Sequence, residues 1–230
     1  MVSLKRYFDF MQQYPHLFHN PDEEGVLRVI TDPDRIRGWR EKRRAELKKD
    51  GQPLEWAEIG ILVDDPYFWV IRDLVEFPDG WVNGYIRFVN RKSLEGGYDV
   101  VIMLVQAGKI LLIRKFRHED RRWYWEFPRG FGETGLSAEE NARKELEEEI
   151  GVVPEKLIEV GRSSESDRGG LVYYYGELPR DASIVLDERE GIIEKVFLGF
   201  EELTEWLVDG KVRDGFTINA FTLATTKSLL

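Results

Sequence analysis

The sequence predicts an α/β protein in which helices cover both faces of a mixed β-sheet. Strand-like and helix-like segments alternate through the second half of the chain, and this order is typical of layered α/β folds. Residues 100–105 and 110–113 are apolar at every position, which indicates two neighbouring strands that are covered on both faces. A glycine-rich turn at 130–135 and a capped helix at 138–150 follow. These features together predict an α/β/α sandwich.

The 230-residue chain carries a formal net charge of −10 and contains no cysteine. Its length suits one large domain, or a small segment joined to a medium one. The acidic balance repels polyanions, so nucleic acid is not expected as a partner. The lack of cysteine excludes disulfide scaffolds, thiolate metal sites and cysteine nucleophiles. No apolar run is long enough to span a membrane, and the N-terminus has no signal-peptide stretch, which together predict a cytoplasmic protein.

Residues 1–95 are predicted to form an N-terminal extension of helices followed by strands. Apolar residues recur at helical spacing over 4–18, and a second helix is predicted over 33–49. Between residues 35 and 49 this helix carries eight Lys or Arg residues against two Glu residues. Such a run is typical of a solvated face, and the alternative is a phosphate-binding or partner surface. Strand-forming residues then occupy 59–89, with a turn at 77–80.

Residues 96–230 are predicted to form the main domain. Its core begins with the hairpin of residues 100–105 and 110–113, whose turn contains Ala107 and Gly108. The remaining elements are predicted from their periodicity and turn residues. They are a helix at 138–150, strands at 157–161, 171–178 and 196–199, and helices at 200–208 and from 217 onward.

The helix at 138–150 carries the pattern with the clearest chemical meaning. At about 100° per residue, three carboxylates fall within an arc of roughly 100°, namely Glu145, Glu148 and Glu149. The neighbouring sector is apolar and is predicted to face the core, whereas Glu147 is predicted to point to water. Because the three carboxylates repel one another, a cation is needed to compensate them. Hard oxygen ligands on one helix face suit Mg²⁺ or Mn²⁺.

The entry to this helix is glycine-rich. Gly130, Gly132 and Gly135 lie within six residues and permit a close approach of the backbone to a ligand. Ser137 is predicted to cap the helix, with Glu140 as its capping-box partner. An acidic helix after a glycine-rich loop also occurs as a purely structural unit, so the pattern alone leaves both interpretations open.

The segment 130–152 resembles the Nudix box, in which a Gly, five residues, a Glu and seven residues precede Arg-Glu-aliphatic-x-Glu-Glu-x-Gly-aliphatic. Seven of the nine defined positions match, from Gly130 to Val152. The two departures are Leu136 in the Glu position and Lys144 in the Arg position. In the family these two residues form a structural ion pair, and Glu133 is the residue here that could replace the missing Glu.

Further segments resemble the ADP-ribose pyrophosphatase branch of the Nudix family. They are residues 72–80, 112–117, 125–128 and 210–217. The resemblance implies a Nudix-type α/β/α sandwich over 96–230 and a homodimer that uses strands within about 68–89. It also implies hydrolysis of a nucleoside diphosphate derivative such as ADP-ribose, a small-molecule nucleotide substrate.

The resemblance implies specific roles for the acidic residues. Glu145, Glu148 and Glu149 would bind Mg²⁺ or Mn²⁺ and act in catalysis, with the backbone carbonyl of Arg129 as a further ligand. The general base would come from the acidic loop 187–191, with Glu190 first and Glu188 second.

The substrate-binding residues are also predicted. Arg114, Arg117 and Arg129 would contact phosphate or ribose, and Glu126 would orient the site or recognise the substrate. Arg114 and Arg117 are equally compatible with plain surface charge. The polar loop 163–169 is a further candidate for substrate contact.

Two alternative functions follow from the departures and the basic helix. Leu136 and Lys144 are compatible with a degenerate Nudix module that binds nucleotides without cutting them. The basic run 35–49 is compatible with a Nudix enzyme that acts on capped RNA, and dinucleoside polyphosphates are another possible substrate class.

Overall fold

The computed structural model describes residues 2–163 and 170–230 and divides into two compact units, residues 1–91 and 92–230. The first unit contains a four-stranded antiparallel sheet with two helices. Its regular elements are α1 (Leu4–Gln13), β1 (Arg28–Val29), α2 (Pro33–Lys49), β2 (Gly60–Asp64), β3 (Phe68–Glu76) and β4 (Val82–Asn90).

The helices of the first unit follow the predicted pattern with one difference. The helix α2 has the predicted bounds, and the side chain of Asp32 caps it by accepting from the backbone N–H of Arg35. The helix predicted over 4–18 is instead split, because α1 ends at Gln13 and a 3₁₀ turn occupies Pro15–Phe18. Pro15 has no backbone N–H to continue the helix, which explains the break.

The basic charge of α2 is largely compensated inside the first unit. Arg40 and Arg44 both pair with Glu58, which is almost fully buried. Arg35 pairs with Glu76 at 2.7 Å. Part of the charge run is therefore structural, since Arg40 is buried in an ion pair, whereas Lys42, Lys48 and Lys49 are exposed as the solvated-face interpretation predicts.

The second unit contains a seven-stranded mixed sheet and the remaining helices. A one-turn helix, α3 (Arg91–Leu94), spans the division between the units. The strands are β5 (Tyr98–Gln106), β6 (Lys109–Arg117), β7 (Arg122–Glu126), β8 (Arg129–Gly130), β9 (Leu157–Arg162), β10 (Gly170–Leu178) and β11 (Ile192–Leu198). The helices are α4 (Ala138–Ile150), α5 (Phe200–Val208) and α6 (Gly215–Thr226).

The second unit is an α/β/α sandwich, as predicted. The main path through the sheet runs β11-β6-β5-β10-β9, and β10 pairs with β5 in parallel while the other pairs are antiparallel. Alternate residues of β5 enter two separate cores: Val100, Ile102 and Leu104 pack with α4, and Val101, Met103 and Val105 pack on the side of α5 and α6. The unbroken apolar run of this strand is thus explained by cover on both faces.

Element bounds differ from the prediction mainly at β11 and α6. β11 begins at Ile192, four residues before the predicted start, because Ile193, Glu194 and Lys195 are all exposed and give this part of the strand no regular apolar alternation. α6 begins at Gly215, after the N-cap Asp214. Among the described residues, no helix combines the length and apolar character needed to cross a membrane.

Candidate active site

The helix α4 is held in place by local signals at both ends. Ser137 accepts from the backbone N–H of Glu140 at 3.2 Å, and Glu140 accepts from the N–H of Ser137 at 2.9 Å, which completes the predicted capping box. Gly151, at φ 69°, ends the helix in the left-handed conformation. Leu146 is fully buried and Glu147 is exposed, as the helical pattern predicts.

The glycine-rich loop lies directly against the acidic face of α4. A Cβ built on Gly130 would lie 1.8 Å from the carboxyl carbon of Glu145, so only glycine leaves room for this carboxylate. Asn141 donates from its side chain to the carbonyls of Tyr98 and Phe131, both at 3.1 Å. These contacts fix the loop next to the helix.

A Gly130→Ala substitution tests this close approach. We expect only a small loss of stability, because the displaced group is the end of a flexible side chain, but a loss of metal affinity of at least about tenfold. Titration with Mn²⁺ and thermal unfolding measure the two effects. Gly215→Ala is the matched control, since nothing lies within 4 Å of a Cβ at that position. Unchanged Mn²⁺ affinity in Gly130→Ala would contradict the prediction.

Glu149 is the most deeply buried of the three predicted metal ligands, with its side chain 1% exposed. Its Oε1 accepts from Lys115 Nζ at 2.7 Å, and its Oε2 accepts from the backbone N–H of Arg129 at 3.1 Å. Desolvation raises the pKa of Glu149, and the ammonium of Lys115 opposes this effect.

Lys115 also brings Glu190 to this cluster. Its Nζ lies 3.3 Å from Glu190 Oε2, so one ammonium bridges the buried Glu149 and the half-exposed Glu190. Glu188 lies in the same one-turn segment and is exposed. The structure therefore places the predicted general base beside a predicted metal ligand.

Glu145 is the least compensated carboxylate of the cluster. It makes no hydrogen bond or ion pair with any part of the chain that the structure describes, although it is partly buried. Burial, together with the charges of Glu149 and Glu148, raises the pKa of Glu145 to about 7. A carboxylate in this state is strongly stabilised by an added cation.

The predicted substrate residues form a buried ionic network. Arg117 binds Glu126 through two hydrogen bonds, one of them 2.9 Å from Nε to Oε2, and Glu126 is completely buried. Arg129 lies 3.5 Å from Glu126 and 3.3 Å from Asp214. Burial alone would lower the pKa of Arg117, but its bond to Glu126 raises it.

Arg114 lies apart from this network. Successive residues of a strand point to opposite faces of the sheet, so Arg114 points away from the face on which Lys115 meets Glu149. Its guanidinium pairs with Glu194 at 3.0 Å and lies over the rings of Trp123 and Trp125. The structure does not bring Arg114 together with the carboxylates of α4, and the role of Arg114 in substrate binding stays a prediction.

The family follows from comparison of the sequence with known domains. A family model described as the NUDIX domain matches residues 97–215, which is more than half of the chain. This chain belongs to the Nudix family. The match confirms the Nudix resemblance, and Nudix hydrolases cleave nucleoside diphosphates that are linked to another group.

Structural comparison supports the same fold. A solved structure described as an ADP compounds hydrolase superposes with a TM-score of 0.59 at 19% sequence identity. The match covers 74% of this chain and 90% of that chain. At this identity the likeness establishes the Nudix fold alone. No curated protein matches the sequence.

The structure accounts for the two departures from the Nudix box. Lys144 pairs with Glu133 at 2.6 Å and with Glu148 at 3.3 Å. The carboxylate that Leu136 lacks is therefore supplied from the loop, three residues earlier in the chain. This Nudix domain therefore has an ion pair between the loop and the helix, formed by Glu133 and Lys144 in place of the Glu and Arg of the family pattern.

Nudix hydrolases generally use divalent metals, and the donor chemistry of the site fits such ions. Three carboxylates from one helix are hard oxygen ligands, and Glu145 makes no direct hydrogen bond or ion pair with the described residues. No group of three His, Asp or Glu side chains converges at metal-binding distance within residues 2–163 and 170–230. Glu149 and Glu148 are instead paired with lysines, so a metal would have to compete with these ammonium groups.

Two residues of the site were not predicted from the sequence. Lys115 follows the apolar run of β6, and the available signal was the alternation of faces along a strand, which places Lys115 on the side of Leu111 and Ile113. Asp214 caps α6 by accepting from the N–H of Thr217 at 2.8 Å, and an Asp before a helix start was the available signal. Apart from Ser163, the predicted loop 163–169 lies outside the described residues.

Proposed function

We propose that this Nudix hydrolase cleaves the pyrophosphate bond of ADP-ribose or a related nucleoside diphosphate derivative in a Mg²⁺-dependent reaction. The observation that carries the proposal is the contact between the acidic face of α4 and the loop at Gly130, where Glu145 is partly buried and has no hydrogen bond or ion pair among the described residues. The structural neighbour is described as an ADP compounds hydrolase, and this description agrees with the proposed substrate class.

Glu145, Glu148 and Glu149 would hold the metal, together with the backbone carbonyl of Arg129. When bound, Mg²⁺ neutralises charge on the pyrophosphate and lowers the pKa of the attacking water. Glu190 would accept the proton of that water, and Lys115 holds Glu190 near Glu149.

The arginines would bind the substrate phosphates. Arg129 Nε is buried and has no hydrogen-bond partner among the described residues, and a phosphate oxygen bound beside it would satisfy this donor. Glu126 holds Arg117 and Arg129 on the same side of the site. Arg guanidinium groups suit bidentate contact with phosphate.

A substrate panel tests the proposal directly. The purified protein is incubated with ADP-ribose, other nucleoside diphosphate sugars and dinucleoside polyphosphates, with Mg²⁺ and separately with Mn²⁺. We expect AMP and ribose 5-phosphate from ADP-ribose, and no products in the presence of a chelator. Tight ADP-ribose binding in calorimetry without product over hours would instead support a non-hydrolytic nucleotide-binding module.

The capped-RNA alternative receives little support from the first unit. Several cations of α2 pair with acidic residues there, including Arg40, Arg44 and Arg35. If capped RNA were the substrate, its binding would fall steeply with salt and would weaken when the remaining lysines of α2 are neutralised.

We also propose that the chain forms a homodimer through the sheet of the first unit. Phe68, Ile86 and Phe88 lie on one face of β3 and β4, and each is more than one-third exposed. The rings of Phe68 and Phe88 are 6.3 Å apart. An apolar sheet face of this kind is typical of protein–protein contact.

A Phe88→Glu substitution tests the dimer. We expect the wild-type chain to sediment as a dimer at micromolar concentration and the variant as a monomer, because a charge would be placed within the apolar contact. Glu147→Gln, on the second unit, is the control and should remain dimeric. A wild-type monomer, or a Phe88→Glu dimer of unchanged stability, would contradict the proposal.

A further inference from the structure

Lys115 is a buried cation placed between two carboxylates that have proposed catalytic roles. Its side chain is 11% exposed, and its Nζ lies 2.7 Å from Glu149 Oε1 and 3.3 Å from Glu190 Oε2. It enters from β6, the strand paired with β11, whereas Glu149 lies on α4. A lysine is rarely buried to this extent unless it is paired.

The ammonium of Lys115 and a divalent cation would require the same carboxylate. Both oxygens of Glu149 already accept one hydrogen bond, Oε2 from the backbone N–H of Arg129 and Oε1 from Lys115 Nζ at 2.7 Å, so a metal on this carboxylate would lie close to the ammonium. Two cations on one buried carboxylate repel each other strongly, because the surroundings are poorly screened. Occupancy by the metal therefore opposes the ion pair of Lys115 with Glu149.

We propose that Lys115 is a built-in counterion that competes with the divalent cation for Glu149. Lys115 neutralises the buried carboxylate of Glu149 while the metal is absent. The metal must displace this ammonium, so Lys115 weakens metal binding. When the metal displaces it, Glu190 is the carboxylate within reach of its ammonium. The inference rests on the proposed function, since it takes Glu149 as a metal ligand.

The test is a Mn²⁺ titration followed by the electron paramagnetic resonance signal of free Mn²⁺. The full-length wild type is compared with Lys115→Met, which removes the charge, and Lys115→Arg, which keeps it. Lys109→Met is the matched control, because Lys109 lies on the same strand at its exposed end. We expect Mn²⁺ to bind Lys115→Met about tenfold more tightly than the wild type, and the other two variants to stay within about twofold.

The outcomes separate the inference from the proposed function. Equal or weaker Mn²⁺ binding by Lys115→Met, with a wild type that binds Mn²⁺, would overturn the role of Lys115 and leave the metal site intact. An equal gain in Lys115→Arg would also overturn it, because the effect would then not depend on charge. Failure of both wild type and Lys115→Met to bind Mn²⁺ would reject the metal site and the inference together.

Thermal unfolding provides a second measurement that holds even if Lys115→Met is unstable. The substitution leaves Glu149 buried without its ammonium partner, so the metal-free variant should unfold at a lower temperature than the wild type. Because a ligand that binds the folded state stabilises it, Mn²⁺ should raise the unfolding temperature of Lys115→Met by more than that of the wild type. A smaller or equal rise would contradict the competition.

Discussion

Replacing Glu148 by Gln is expected to lower the turnover of ADP-ribose with Mg²⁺ by at least about 100-fold while leaving the stability of the fold almost unchanged. Glu148 is half exposed, and its one ion pair with the described residues is the 3.3 Å contact with Lys144. Its loss therefore removes a metal-binding oxygen without opening the core. Glu149→Gln should also abolish turnover, but it additionally leaves the buried Lys115 without its closest partner.

The control for Glu148→Gln is Glu147→Gln on the same helix. Glu147 is exposed and lies outside the acidic arc, so this variant removes one negative charge from α4 without touching the site. Steady-state kinetics and thermal unfolding of the two variants separate catalytic from structural effects. Turnover of Glu148→Gln within about twofold of Glu147→Gln would rule out the metal-based mechanism.

Replacing Glu126 by Leu is expected to lower the free energy of unfolding by about 3–5 kcal/mol. Glu126 is completely buried and compensates both Arg117 and Arg129. Arg129 keeps Asp214 as a partner at 3.3 Å, whereas Arg117 loses its bidentate bond. The penalty arises chiefly from the guanidinium of Arg117, which is left with its charge largely buried.

Two comparisons test this explanation by denaturant unfolding. Glu139→Gln breaks a Glu–Arg pair on the exposed side of α4, with Arg143 at 2.8 Å, and should cost less than about 1 kcal/mol. The double variant Glu126→Leu/Arg117→Met removes both charges and should be more stable than Glu126→Leu alone. A double variant that is less stable than the single one would show that the Glu126 site is limited by packing and not by charge.

The part of the site that could be predicted from the sequence is the part that depends on local structure. The helix α4 has the predicted bounds, because its capping box at Ser137 and its terminating Gly151 are set by neighbouring residues. Its faces follow from the helical repeat alone, so the sequence placed Leu146 inside and Glu147 outside. The Nudix box is detectable for the same reason, since its spacing is that of one loop and one helix.

The unbroken apolar run of β5 likewise predicted cover on both sides of the sheet. Each of its residues must enter one core or the other, because successive side chains of a strand point to opposite faces. The two observed cores divide this strand residue by residue. The fold class can thus be predicted from the pattern of apolar residues in a few short segments.

The ionic partners, in contrast, depend on which strand lies next to which helix and in what register. Lys115 meets Glu149 and Glu190 from elements 34 and 75 residues away in the chain, and Arg129 meets Asp214 near the start of α6. Periodicity within one segment carries no information on these distant pairings. The same limit applies to Arg114, whose position on the opposite face is set by the register of β6.

The amino-acid sequence by itself determined the layered fold, the acidic helix and the family, because local hydrogen bonding and repeat length specify them. Only the tertiary structure decided that Glu133 replaces the missing acidic residue of the Nudix box and that a lysine compensates Glu149. The packing of the elements determines these pairs. An unpaired charge is costly to bury, so each buried charge pairs with an oppositely charged side chain that the fold brings within reach.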